Sequence, residues 1–262
     1  MASTAPTTTE KAKVTLYWLE QSRSQRILWL LEELKVPYEL KIFHRDPKTH
    51  FAPPELKNVH ALGKSPVISV LAPGATAPVV IAESGFITEY LLENFSEGTT
   101  LLPKRYKEGQ EGKVGCETEA WMRYKFYMHY AEGSLMTFML VALVAGQIKD
   151  SPVPFFIKPV TSGVAGKIQS GFLEPNFVTH FKFLEEQLAS SPNGGKYLCG
   201  NELTGADILL SFPLLAGRSR TGLTKEKYPK LYSYIDMLEA EPGYQKSVAK
   251  IIEIEGKFET TV

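Results

Sequence analysis

The stretch Leu16–Leu34, "LYWLEQSRSQRILWLLEEL", decides how the first third of the chain is read. An apolar run leads into two serines and two arginines, and then into Ile27, Leu30, Leu31 and Leu34, which recur at the period of one helix face. On either side, "KVTLYWL" (13–19) and "YELKIF" (38–43) carry the β-branched and aromatic content of strands. The pattern predicts a strand, a helix over 24–34 and a second strand, a βαβ unit. The serines at its centre admit two readings. Ser22 to Gln25, "SRSQ", fits a capping box, in which the Ser22 hydroxyl accepts from the Gln25 amide and the Gln25 side chain reaches back. The same hydroxyl at a helix N-terminus could instead donate to a bound sulfur or anion, which the helix dipole would also favour. Ser24, inside the first turn, is expected to cap or to face solvent.

Working outward, "SPVISVL" and "APVVIAES", joined by "APGATA", read as a hairpin, and a helix from about Ser84 to Phe95 follows. Beyond "SEGTTLLPKRY" the pattern turns helical, with candidate helices at roughly 107–146, 172–190, 204–217, 228–240 and 243–254. The expected organisation is α/β plus all-α. A disordered tail spans 1–12, an α/β domain 13–98, a linker 99–106 and an all-helical domain 107–262. The segment 147–172 carries three prolines and three glycines and reads as an extended connection between helices. "TGAD" (204–207) is a second capping box, with Leu203 before it as a hydrophobic staple. Asp207 is therefore assigned a folding role, worth ~0.5–2 kcal/mol for the cap alone.

Charge and cysteines exclude several classes. Lys+Arg and Asp+Glu are both 29, so there is no basic surplus to hold nucleic acid or an anionic membrane. The partner is expected to be a small molecule. "MASTAPTTTEKAK" lacks the apolar core of a secretory signal, and the apolar run Phe138–Ala145 is far shorter than the ~20 residues that span a bilayer. That run reads as a buried helix, with no integral membrane association. Cys116 and Cys199 have neither CxxC nor metal-ligand spacing, no His cluster suggests a metal, and a reducing cytoplasm fits.

The order strand, "SxxxR" helix, strand, "GKSPV", hairpin, "AES" helix and then a helical domain with "LTGADILLSFP" resembles the cytosolic glutathione transferases. "RILWLLEEL", "APPELKNVHALGKSPV" and "AESGFITEYLL" look most like the fungal branch. The resemblance covers about residues 13–250 and implies a thioredoxin-like N-terminal domain followed by an all-helical one. It implies a homodimer that conjugates the thiolate of glutathione, its co-substrate, to hydrophobic electrophiles in detoxification, with peroxide reduction as a side activity. A non-catalytic, ligand-binding or regulatory relative is the alternative. Serine-type members carry their catalytic hydroxyl four residues before an arginine, as Ser22 precedes Arg26; Tyr17 stands where tyrosine-type members carry theirs. The residue before a cis-proline presents its backbone to the cysteinyl amide, which implicates Ser65, although most relatives have an aliphatic residue there. Lys64 matches a position that holds the glycine carboxylate. Glu83 and Ser84 match the pair that binds the γ-glutamyl group, a carboxylate beside an ammonium, at a helix N-terminus. The first long helix of the second domain walls the electrophile pocket in the family, which makes Tyr124, Tyr127 and Met128 candidates.

Overall fold

The computed structural model describes residues 12–260, so the expected tail over 1–12 lies almost wholly outside the described residues. Strand β1 (Lys13–Leu19) turns Val14, Leu16 and Trp18 into the core, and helix α1 (Ser24–Leu34) packs against it with Ile27, Leu30 and Leu31 fully buried. Lys35 ends α1 in the left-handed region at φ 53°, its amide bonding Glu32 O, and the chain turns into β2 (Tyr38–Phe43), parallel to β1. Strands β3 (Val67–Leu71) and β4 (Val79–Ala82) form the antiparallel hairpin, giving the sheet order β2-β1-β3-β4. Helix α2 (Ser84–Phe95) covers β3 and β4 beside α1. This is a thioredoxin-like α/β unit.

Helices fill the remainder. They are α3 (Glu119–Tyr130), α4 (Met136–Asp150), α5 (Lys158–Ile168), α6 (Glu174–Ala189), α7 (Gly205–Arg220), α8 (Pro229–Ala240) and α9 (Pro242–Glu255). One π-type turn, Ala131–Leu135, joins α3 to α4, and another, Gln169–Leu173, joins α5 to α6. Helix α7 lies at the centre, with Ile208, Leu209, Leu210 and Leu214 buried between α1, α2, α3 and α8. Its capping box is present: Asp207 Oδ2 accepts from the Thr204 amide at 2.9 Å and from its hydroxyl at 2.6 Å. Helix α9 returns to α1, where Glu33 Oε1 accepts from Gly243 N at 3.2 Å and from Trp29 Nε1 at 2.9 Å. A Cβ at Gly243 would come within 2.1 Å of that oxygen, so a larger residue would displace the Glu33 side chain and break both bonds.

Three sequence expectations need correction. The first long helix begins at Glu119 rather than near 107, because Gly109, Gly112 and Gly115 take left-handed φ values in a run of turns before it. The segment 147–172 is not an extended connection: α5 lies within it. Pro159 occupies the helix's first turn, where its missing N–H costs nothing, so the proline helps to start a helix instead of breaking one. The run Phe138–Ala145 is helical but only partly buried. Met139 and Ala145 are inside, whereas Leu140 and Val144 are exposed, because the helix packs along one side only. By length and composition alone, the continuous 32-residue helical run Glu119–Asp150 could cross a membrane, with 28% of its most apolar window buried.

Candidate functional site

The turn between β1 and α1 folds the serines onto one another. Ser22 donates from Oγ to Leu19 O at 2.7 Å and accepts from the Ser24 amide at 3.1 Å. The Ser22 and Ser24 hydroxyl oxygens are 2.9 Å apart. Ser24 Oγ is in turn 2.5 Å from Ser65 Oγ, and Ser65 donates to Tyr17 O at 2.9 Å. The expected capping box at Ser22 is absent. Gln25 sends its side-chain amide to Ser247 Oγ of α9 at 2.8 Å, because α9 offers a buried partner that the local motif does not include. Ser24 neither caps nor faces solvent; it is fully buried, at the centre of the cluster.

Arg26 binds the next segment. It is 1% exposed, one turn into α1, and donates to Leu209 O of α7 at 2.6 Å and to Ser84 Oγ at the start of α2 at 2.6 Å. It also pairs with Glu132, which Arg23 approaches at 3.4 Å. Burial lowers the Arg26 pKa, and the Glu132 carboxylate offsets only part of that shift. The Ser84 hydroxyl thus accepts from Arg26. Glu83, exposed, precedes α2 with φ 70°, a left-handed conformation that costs a non-glycine residue ~1–3 kcal/mol and is concentrated at ligand sites. Ser65–Pro66 is cis, and Lys64 beside it is exposed. Ser24 thus links Ser22 to Ser65, and Arg26 of the same helix ties Ser84 to α1. Sequence reasoning used Arg26 only as a spacing mark, although a charged residue among Ile27, Leu30 and Leu31 was a visible signal. Glu132 gave no local signal.

The other candidates fall elsewhere. Tyr17 points to the sheet face opposite Leu16 and Trp18. There its hydroxyl lies 3.4 Å from Ser69 Oγ, and its ring lies under Lys41 Nζ, 5.5 Å from the ring centre. Tyr124, Tyr127 and Met128 are all buried in the core, and burial raises both tyrosine pKa values. The same helical run does border a cleft of about 410 Å³, but further along, through Gly133, Ser134, Thr137, Phe138 and Val141, with Phe172 and His180 opposite. His180 Nδ1 is 2.6 Å from the Tyr130 hydroxyl, and burial lowers the His180 pKa. Ser134 and Val141 both line this cleft, whereas Glu132, in the same π-type turn as Ser134, faces α1 through Arg23 and Arg26. At the other end of the chain, Glu259 accepts from Gln21, the residue before Ser22.

Residues 12–93 match the family model of the glutathione S-transferase N-terminal domain, and residues 177–242 match that of the C-terminal domain. The chain is 33% identical over 237 residues to glutathione S-transferase 1 of Saccharomyces cerevisiae, covering 90% of this chain and 94% of the yeast protein. The chain belongs to the glutathione S-transferase family. A glutathione S-transferase structure from Actinobacillus pleuropneumoniae superimposes with TM-score 0.62 at 32% identity, covering 90% of this transferase and 92% of that chain. The fold is shared more distantly with Ure2p5 of Phanerochaete chrysosporium, cocrystallised with 1-(S-glutathionyl)-2,4-dinitrobenzene (TM-score 0.62, 15% identity, 96% and 100% covered). This chain is a glutathione transferase, and its identity with the yeast and bacterial proteins spans both halves of the fold.

Proposed function

We propose that this transferase conjugates the glutathione thiolate to hydrophobic electrophiles, with Ser22 as the hydroxyl that stabilises the sulfur. The observation that carries the reading is the arrangement around the start of α1: Ser24 links Ser22 to the cis Ser65–Pro66 edge, and Arg26 of the same helix holds the Ser84 hydroxyl. A thiol of reference pKa ~8.5 is mostly protonated at neutral pH, and each unit by which the site lowers it corresponds to ~1.4 kcal/mol of preferential thiolate stabilisation. A donated hydroxyl and the positive end of α1 are each of that order. The backbone beside Ser65 pairs with the cysteinyl group as a strand edge would, Lys64 meets the glycine carboxylate, and Glu83 with Ser84 reads the γ-glutamyl ammonium and carboxylate. The thiolate then attacks an electrophilic carbon, or a peroxide oxygen in the side reaction.

The glutathionyl-dinitrobenzene held by the Phanerochaete neighbour supports aryl halides as the class to try. Turnover of a chromogenic aryl halide with glutathione is the expected result; no turnover by a folded protein that binds glutathione would leave the non-catalytic reading. Exposed Phe86 on α2 and Met122 and Phe126 on α3 support a homodimer, in which a second copy would cover them. Free thiols at Cys116 and Cys199 suit the reducing cytoplasm.

The γ-glutamyl assignment has its own test. Ser84→Ala removes a hydroxyl aimed at a charged group, so isothermal titration should show glutathione binding weakened by ~1–3 kcal/mol. An unchanged dissociation constant would leave Ser84 as a partner of Arg26 alone.

A further inference from the structure

The serine cluster contains more hydroxyls than thiol activation needs, and the positions of their protons are almost determined. Each hydroxyl has one proton to give. Ser22 gives its proton to Leu19 O at 2.7 Å, and Ser65 gives its proton to Tyr17 O at 2.9 Å. Ser24 Oγ accepts from the Leu19 amide at 3.3 Å, and its own proton has two acceptors within reach: Ser65 Oγ at 2.5 Å and Ser22 Oγ at 2.9 Å. Ser24 is fully buried, and a buried hydroxyl is satisfied by partners within reach, so its proton goes to one of them.

We propose that Ser24 is a positioning residue for thiol activation, whose hydroxyl donates to Ser65 in the arrangement seen here and turns to donate to Ser22 when Ser22 turns its own proton to the glutathione sulfur. The inference rests on the proposed role of Ser22 and deepens it. Ser22 in its present orientation spends its proton on Leu19 O; giving that bond up for the sulfur has a cost. A hydroxyl that accepts a hydrogen bond is a stronger donor, by about 10–30% per bond in a chain, so a bond from Ser24 offsets part of the cost. Ser65 supplies the resting acceptor. An aliphatic side chain in its place would leave Ser24 with Ser22 as its only hydroxyl partner in the cluster. The turn needs rotation about two C–O bonds and no movement of the backbone.

The sign of the effect separates this from a loosened site. The ultraviolet absorbance of the bound thiolate is titrated against pH in the full-length protein saturated with glutathione, in wild type, Ser24→Ala, Ser24→Thr and Ser65→Ala. Ser24→Ala is expected to raise the bound thiol's pKa by roughly half a unit, with kcat falling in parallel and the dissociation constant for glutathione unchanged. Ser24→Thr keeps the hydroxyl and should restore the wild-type value. Ser65→Ala removes the competing acceptor and should lower the pKa, the opposite direction. If both alanine variants raise it, the serines only hold the turn in shape and the proposal is overturned; it is overturned equally if neither moves it. Should Ser24→Ala fail to fold, the sign in Ser65→Ala decides alone. Ser22→Ala is run beside them. If it leaves the pKa unchanged while Ser24→Ala raises it, the sulfur takes its bond from Ser24 directly, and the assignment of Ser22 falls instead.

Discussion

Ser22→Ala is expected to bind glutathione and fail to activate it. Lys64, the Ser65 backbone, Glu83 and Ser84 are untouched by the substitution, so calorimetric affinity should persist. Loss of the donor should raise the bound thiol's pKa by about one unit, and a pKa one unit higher means about a tenfold smaller thiolate fraction at neutral pH. Turnover of an aryl halide should therefore fall about tenfold at pH 7 and recover as pH is raised through the new pKa. The recovery matters because damage to the turn would lower the rate at every pH. Ser22 also accepts from the Ser24 amide, so some loss of stability accompanies either role and decides nothing. A thiolate titration identical to wild type would end the case for Ser22. Tyr17→Phe would then be measured, although the Tyr17 hydroxyl lies on the other face of the sheet beside Ser69.

The second large effect is on folding. Asp207→Ala removes more than a helix cap. Besides the two bonds within the capping box, Asp207 Oδ1 accepts from the Tyr234 hydroxyl at 2.6 Å and from the Leu198 amide at 3.2 Å, all without exposure to solvent. Each of these two buried donors left without a partner costs ~1–3 kcal/mol in addition to the cap, so the expected loss is about 3–8 kcal/mol by denaturant titration. Folded protein that remains should bind glutathione normally, since none of these partners belongs to the serine cluster or to Ser84. A loss within the ~0.5–2 kcal/mol of an isolated cap would mean that the Tyr234 and Leu198 bonds contribute nothing.

That difference between the two estimates shows where sequence reading stops. Thr204 and Asp207 are three residues apart, so the cap is a local motif and is visible as text; Leu198 and Tyr234 come from separate elements and are not. The same division runs through the whole protein. The apolar periods of 13–19, 24–34 and 38–43 identify the βαβ unit because the period of a strand or helix face is a property of neighbouring residues. The hairpin and the helices of the second half follow for the same reason. Glu83, Ser84, Lys64 and Ser65 are candidates through resemblance to the family, and the cis bond at Pro66 was legible in the same way. Where the chain had several local options, tertiary contacts chose among them. Gln25 could cap α1 or reach Ser247, and α9 provided the buried partner. Pro159 could end a helix or begin one, and it sits in the first turn of α5. Tyr124, Tyr127 and Met128 have the spacing of a helix stripe, which is the same whether that stripe lines a pocket or the core; neighbouring helices bury them. The hydrogen bonds around the β1–α1 turn were decided at this level. Ser24 and Arg26 acquire their meaning from Ser65, Ser84, Leu209 and Glu132, which lie far along the chain. A buried hydroxyl or guanidinium must find partners wherever the fold supplies them, and no window of local sequence contains those partners.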